Sequence, residues 1–458
     1  MKYLFQNRGI QGIEKGGVKR IVAVIITILS LANCVNAKAA PGSMNVANLQ
    51  LQPGATLSAG LGTQTVEDTT RLKLPPHFSA VVVADLKAKA RHLVVTNNGL
   101  IYVKLAKAKD GKGILVLQQG PNGAAQVIGG FGNYGGTGIY LKNGYLYASS
   151  NSEVYRYKLD GNSKVLHPDQ PEKIITGLVM GRQHETKSIV LDNAGNIYVN
   201  IGSPLNSCQQ EDRKKGSMGI AGCPILDSAG GIWQFKADQL NQSYGQGVRY
   251  ATGLRNVVGL DWNQTSNTLF VMQHGRDQLH DLFPQYYDEK TSSLIPAECM
   301  YMIHKGDNAG FPYIYYDQFK KAQMLAPEYG GDGQKEVTGK YIDPIVAFPG
   351  HMAPNGLLFY KGTQFPKKYK NGAFIAFHGS WNRTPEKQGG YMVAFVPFKN
   401  GKPAGPWEVF ADNFAETDDI LSPRQAKHRP CGLAEGPDGS LYVTDDVKGR
   451  IYKISYQQ

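Results

Sequence analysis

Short apolar runs bounded by turn residues fill most of the chain, and one arrangement recurs six times. A turn carrying Asn, Asp or Gly leads into a run of the form apolar–Tyr/Phe–apolar. The copies are Asn97–Val103, Asn143–Ala148, Asp192–Val199, Ser266–Val271, Asn371–Phe377 and Pro437–Val443. A second strand-like run follows each, at Ile114–Leu117, Val154–Tyr157, Ile232–Phe235, Met300–Ile303, Tyr391–Val396 and Ile451–Ile454. A third kind of run also occurs six times: Phe78–Ala84, Ala125–Gly130, Glu172–Gly177, Val248–Gly253, Tyr341–Phe348 and Trp407–Asn413. Strand-and-turn units repeating at roughly 45 to 100 residues predict an all-β propeller, and six copies predict six blades.

The ends of the chain predict how the circle closes. The last blade supplies strands near Cys431–Glu435, Ser440–Thr444 and Ile451–Ser455, then runs out of sequence. Phe78–Ala84 has no inner strands before it, so it is expected to be that blade's outermost strand, removing an open edge. Three long insertions, Ser203–Gly230, Asp277–Pro296 and Gly306–Lys340, are expected to wall the site.

The connections from each outer strand to the next inner strand share one end of a propeller. Here they contain Arg91-His92, Asn133-Tyr134, Gln183-His184, Arg255-Asn256, His351 and His428-Arg429. His184 and Arg255 each lie five residues before an apolar residue of the inner strand, Ile189 and Leu260, and Arg429 lies four before Leu433. A ring of His, Arg and Asn suits a polyanionic, hydrogen-bonding ligand, because Arg presents a planar fork to carboxylates. A His near neutrality is a candidate general base, and with an unperturbed pKa near about 6.5 its activity would fall as pH drops through that value. His92 and His428 read as ordinary structural residues. In His274-Gly275-Arg276-Asp277, with Asp281 beyond, Gly275 permits a sharp turn that exposes carbonyls of the kind Ca²⁺ accepts, although a plain turn is the better reading of the residues alone.

Composition changes this picture at the N-terminus. The formal charge is +12, and residues 1–39 hold six Lys/Arg and one Glu, so the remainder is only mildly basic. Lys15, Lys19 and Arg20 precede an apolar run from Ile21 to Ala32, then small residues, which reads as a secretory signal too short to span a bilayer. A periplasmic or secreted protein is expected, with 40–72 a loosely ordered lead-in and 73–458 the propeller. No basic patch interleaved with aromatics points to nucleic acid. Of five cysteines, Cys34 falls in the signal; Cys208 and Cys223 bracket a polar loop and are candidates for a disulfide in an exported protein. Cys299 and Cys431 are expected to be buried. No Cys-x-x-Cys-His motif for covalent haem is present.

These residues also carry a resemblance. Tyr250-Ala-Thr-Gly-Leu-Arg-Asn256, Gln273-His-Gly-Arg-Asp277, Gly306-Asp-Asn-Ala-Gly-Phe-Pro312, Gly350-His-Met-Ala-Pro354, Phe377-His-Gly-Ser-Trp-Asn-Arg383 and Arg429-Pro430 are similar to the soluble quinoprotein glucose/sorbosone dehydrogenase family. The similarity covers about Leu72 to Tyr456 and is nearest to the sorbosone-dehydrogenase-like branch. It implies pyrroloquinoline quinone (PQQ) and Ca²⁺ at the channel mouth, an aldose or sugar-derived aldehyde as substrate, and an external electron acceptor. It places the catalytic base on His184 and cofactor contacts on Arg255, Asn256, Arg429, Asn133 and a basic residue near Arg383. Arg255 would also stabilise charge on the quinone oxygen. Metal carbonyls fall on Gly275 and Arg276, beside Asp277; from their places in the ring of connections, Gln183 and His351 are expected on the substrate side. The chain departs from the family pattern at Gln183, where glucose-oxidising members have an acid, at Asn133, where a Gln is usual, and at Cys431, where a second Arg is usual.

Two other functions fit a six-bladed propeller. A sugar lactonase would need Glu, Asp and Asn converging on a channel metal, whereas His and Arg converge here. A non-catalytic binding propeller has no discriminating motif.

Overall fold

The computed structural model describes residues 70–120 and 123–457; the expected export signal and the lead-in up to residue 69 lie outside the described residues. Six antiparallel sheets are arranged in chain order as blades. Their innermost strands are Ala90–Val95, Ile139–Lys142, Ile189–Leu191, Val257–Asn263, Pro354–Phe359 and Pro430–Glu435. Each contributes lining to an axial cavity of about 270 Å³, through His92, Ile139, Ile189, Leu260, Leu357 and Leu433 among others. The second strands carry the repeated apolar–aromatic–apolar run because a neighbouring blade covers each face. All five residues of Ala373–Phe377 are buried. Burial on both faces calls for a continuous apolar run rather than alternation.

The ring closes as the sequence predicts. Phe78–Asp85 pairs antiparallel with Arg450–Tyr456, from Phe78 opposite Tyr456 to Asp85 opposite Arg450, and is the outer strand of the last blade. Its first side chain packs edge-on against Phe365 and Phe410, with centroids 4.8 and 5.0 Å away. These rings belong to an aromatic cluster between the last two blades that includes Tyr369, Phe374 and Phe395. Deleting Phe78–Asp85 therefore exposes both a sheet edge and this cluster. Loss of cooperative unfolding, followed by circular dichroism in denaturant, is the expected result; a compact two-state transition would show that the closure is dispensable.

Two details differ from expectation. The outer strand of blade four spans only Val346–Phe348 rather than 341–348. Pro344 has no N–H for a ladder, and the Ile342 N–H is spent on the Asn308 carbonyl at 3.0 Å. Blade two gains a fifth strand, Gln242–Ser243, running parallel to Glu172–Thr176 and covering that edge.

The long insertions are ordered. Residues 277–296 form two short helices, Leu279–Leu282 and Glu289–Leu294. The strands Ile314–Asp317 and Ala322–Leu325 pair as a hairpin within 306–340. A Cys208–Cys223 disulfide closes the loop 203–230 across a separation of 15 residues, a constraint worth about 3 kcal/mol against the unfolded chain. Cys299 and Cys431 are free and buried. No helix among the described residues is long and apolar enough to cross a membrane.

Candidate active site

One end of the channel collects the loops that leave the second and outer strands. In blade three the strand Asn196–Ile201 turns at Gly202. A Cβ there would lie 2.6 Å from His184 Cβ and 2.7 Å from the His184 carbonyl, so only glycine lets the two segments meet. The meeting fixes the imidazole: His184 Nδ1 is 2.6 Å from the Ser203 carbonyl oxygen. A carbonyl only accepts, so Nδ1 carries the proton and Nε2 carries the lone pair. Burial, then the positive charge of Arg255, pushes the His184 pKa down to about 3.

Arg255 is buried and wrapped in oxygens. Its Nε donates to the Asn206 carbonyl (3.0 Å), Nη1 to the Gly275 carbonyl (2.8 Å), and Nη2 to Asn206 Oδ1 (3.0 Å) and Asp277 Oδ2 (2.8 Å). Four of its guanidinium N–H groups are thus committed, leaving one on Nη1. Asp277 Oδ2 also accepts from Arg213 Nη2 at 3.0 Å, and Oδ1 accepts from Asn382 Nδ2 at 2.9 Å. Burial alone would raise the Asp277 carboxyl, but Arg255, His351 and Arg213 outweigh it and hold the group well below the usual carboxylate range. Next to Arg255, Asn256 is buried, and its Oδ1 has no hydrogen-bond partner.

Blades five and six build the other half of the mouth. Asp446 accepts from Arg91 Nη1 and contacts His378 Nε2. Arg429 donates through Nε to the His378 carbonyl (2.9 Å) and through Nη2 to the carbonyls of Gly379 and Ser380. Its Nη1 takes no part in these bonds, and its guanidinium lies 5.3 Å from the centre of the Tyr391 ring. Arg383 is tied to the Gly350 carbonyl at 2.9 Å. His428, read as structural, is buried against Asp445 at 2.8 Å.

Several expected site residues are turned to other work. Both amide atoms of Gln183 are engaged, Oε1 by Arg213 (2.8 Å) and Nε2 by Asp212 (2.8 Å), so Gln183 orders the insertion wall. His351 places Nε2 against the carbonyls of Ser292 (2.9 Å) and Ile295 (3.1 Å), and Nδ1 accepts from Asn382 (3.2 Å). With both nitrogens committed, His351 is a support for Asn382 and Asp277 rather than a substrate contact. Asn133 is exposed in the connection between blades one and two. Asn206, His274 and His378 join these networks without standing out as site residues in the sequence. The available signal was the repeated His-Gly after the second strands of blades four and five, at His274-Gly275 and His378-Gly379.

The residues fit a polyanionic quinone. Arg91, Arg213, Arg255, Arg383 and Arg429 outnumber Asp277 and Asp446 in these networks, and the orphaned Asn256 Oδ1 would lie 3.3 Å from a Cβ on Gly202, beside His184. Two of the three expected metal residues, Gly275 and Asp277, fit Ca²⁺ poorly, because both already face the Arg255 guanidinium. The Gly275 carbonyl holds Arg255. The Asp277 carbonyl holds Asn206 Nδ2 (3.0 Å) and Arg276 Nε (3.3 Å), and the Arg276 side chain also reaches the buried Glu328. Among the described residues, no group of three or more His, Cys, Asp or Glu is placed to hold a metal.

The half-buried histidines give the mouth a pH signature. Burial lowers His92 to about 4, and burial followed by Arg255 lowers His274 to about 3, alongside His184 at about 3. Each therefore binds fewer protons folded than unfolded below about pH 6.5. Their contribution is intact above that pH and is lost as pH falls towards the folded values, by up to about 1.4 kcal/mol per pH unit per histidine. The depressed carboxyls of Asp277 and Asp446 act in the same direction below about pH 4. Urea unfolding at pH 7 and pH 5 is expected to show a clearly lower midpoint at pH 5. An unchanged midpoint would mean that the three rings are solvated.

Comparison with known proteins agrees with this architecture. A PQQ-dependent pyranose dehydrogenase of Coprinopsis cinerea is 28% identical over 257 residues, which cover 48% of this chain and 34% of that protein. The chain therefore spans about a third of that relative's length. A PQQ-dependent sugar dehydrogenase of Hypocrea jecorina is 21% identical, over 70% of this chain and 73% of its own. Among solved structures, the calcium structure of a Trichoderma reesei carbohydrate-active enzyme of family AA12 superposes with a TM-score of 0.66 at 18% identity, covering 84% of this chain and 97% of that one, which shows the shared fold. The TrAA12-like family matches residues 72–457, almost the entire described part, and the chain belongs to that family.

Proposed function

We propose that the protein is a PQQ-dependent oxidoreductase of sugars, acting on an aldose or a sugar-derived aldehyde of the sorbosone type. The observation that carries this reading is the His184 tautomer: Nδ1 is locked on the Ser203 carbonyl, which leaves the lone pair on Nε2, and the unpartnered Asn256 Oδ1 flanks the same Gly202 turn. The names of the Coprinopsis and Hypocrea relatives support the cofactor and the substrate class.

PQQ bound at this mouth would supply a two-electron acceptor for hydride from the carbinol carbon. The chain supplies the rest. His184 Nε2 takes the hydroxyl proton as the C–H bond breaks, so the substrate leaves as a lactone or acid. Arg255, immobilised by Asn206, Gly275 and Asp277, presents its one remaining Nη1 N–H to developing negative charge without reorganising. Arg429 offers two Nη1 donors for a carboxylate, and Asn256 offers an amide. Electrons pass to an external acceptor, as the family resemblance implies. Export follows from the sequence of residues 1–39, with periplasmic or secreted action as the consequence.

The test is to add PQQ to purified apoprotein and then a panel of aldoses and sugar aldehydes. Bleaching of the oxidised quinone absorbance with one or more sugars is expected. Failure of PQQ to bind, or binding without any sugar-dependent reduction, would reject the proposal.

A further inference from the structure

The oxygens around Arg255 are of the kinds that metal sites use. Four of them converge on one guanidinium: the carbonyl and Oδ1 of Asn206, the carbonyl of Gly275 and Oδ2 of Asp277, at 2.8 to 3.0 Å. They come from the insertion loop of blade three and the turn after the second strand of blade four. Backbone carbonyls, an amide oxygen and a carboxylate are the donors that a hard divalent cation selects. Here every one is already directed at a fixed positive charge.

We infer that the Arg255 guanidinium permanently occupies this oxygen cage, and that the protein uses an internal monocation where a divalent metal would otherwise sit. This rests on the PQQ reading for its functional meaning but not for its chemistry. A guanidinium carries its charge at every accessible pH and cannot be chelated away. A Ca²⁺ ion seeking the same oxygens would need them within about 2.3–2.6 Å and would have to displace Arg255. It would also meet Arg213, which shares Asp277 Oδ2 at 3.0 Å. The next carboxyl, Glu298, does not open a second route. Its oxygens accept from the N–H groups of Gly275 (3.0 Å) and Ala353 (3.2 Å), which holds it behind the turn.

The cage turns this into a gain-of-function test. Arg255→Ala removes the guanidinium and frees the Asn206 and Gly275 carbonyls, while Asn206 Oδ1 and Asp277 Oδ2 keep one partner each, so the variant is expected to acquire Ca²⁺ binding that the parent lacks.

The experiment uses the full chain, stripped with EGTA. Melting temperature is measured with and without millimolar Ca²⁺ for the parent and for Arg255→Ala, and PQQ is titrated into the parent in both buffers. The expected parent shows no Ca²⁺-dependent melting shift, and its PQQ affinity is the same within about twofold in EGTA and in Ca²⁺. Arg255→Ala is expected to melt lower in EGTA and to recover part of that loss in Ca²⁺. A tenfold tightening of PQQ by Ca²⁺ in the parent, or a Ca²⁺-dependent rise in its melting temperature, would overturn the inference. Should Arg255→Ala not fold, the parent measurements decide alone. Should PQQ bind in neither buffer, the enzyme assignment fails, while the parent's melting response to Ca²⁺ still decides the cage.

Discussion

Asp277→Ala is expected to cost about 3–5 kcal/mol of stability, the penalty typical of breaking a buried ion pair. The carboxylate accepts from Arg255, Arg213 and Asn382, and lies 3.9 Å from His351 Nδ1. It is only 9% exposed, and Arg255 is 3% exposed. Removing it strands two guanidiniums, one fully enclosed, with no counter-charge and little water. The loss is also architectural, because Asn206, Asp277 and Asn382 belong to loops of three successive blades. The site is therefore expected to loosen along with the fold, weakening PQQ binding. Urea denaturation of both proteins gives the difference from the midpoint at constant m. A double-mutant cycle with Arg255→Ala should return a large coupling, since the second deletion removes the stranded charge. A loss below about 1 kcal/mol would place the cluster among solvated surface pairs and undo its role as a scaffold.

How much of this was legible in the sequence follows from the range of the interactions. Repetition made the blades visible, because each second strand is buried on both faces and so carries the same apolar–aromatic run. The unfinished last blade made Phe78–Asp85 its missing strand, and the structure pairs it there. Register brought His184, Arg255 and Arg429 to one end of the channel, since each sits a fixed distance before an inner strand. Register does not say where a side chain points. Gln183 and His351 occupy ring positions, yet Asp212, Arg213, Asn382 and two carbonyls consume them, all from segments 29 to 59 residues distant. The metal reading at Gly275 is weakened for a related reason. A glycine turn advertises free carbonyls, and nothing near it in sequence reveals that Arg255, 20 residues upstream, has already claimed one. The His378–Asp446 contact spans 68 residues and left no local trace.

The last expected result concerns His184. His184→Ala should lower sugar-dependent turnover by roughly 10² or more, the usual share of a general base. PQQ should still bind, because Arg429 and Asn256 remain. The alanine also removes the bond to the Ser203 carbonyl, so His184→Asn is the needed companion: its amide can still donate to Ser203 but cannot take a proton. If the imidazole is the base, both variants lose the rate and added imidazole partly restores it in the alanine protein. If His184 only braces the Gly202 turn, asparagine retains most of the rate. The pH profile separates the two further. A free histidine would put the acid limb near about pH 6.5, but burial and Arg255 press His184 down to about 3. The base must be neutral to act and stays neutral above its pKa, so the limb moves below pH 6.5 and the rate holds across neutrality. Wild-type turnover in both variants would assign proton removal to another group, with His378 beside Asp446 the next candidate at the mouth.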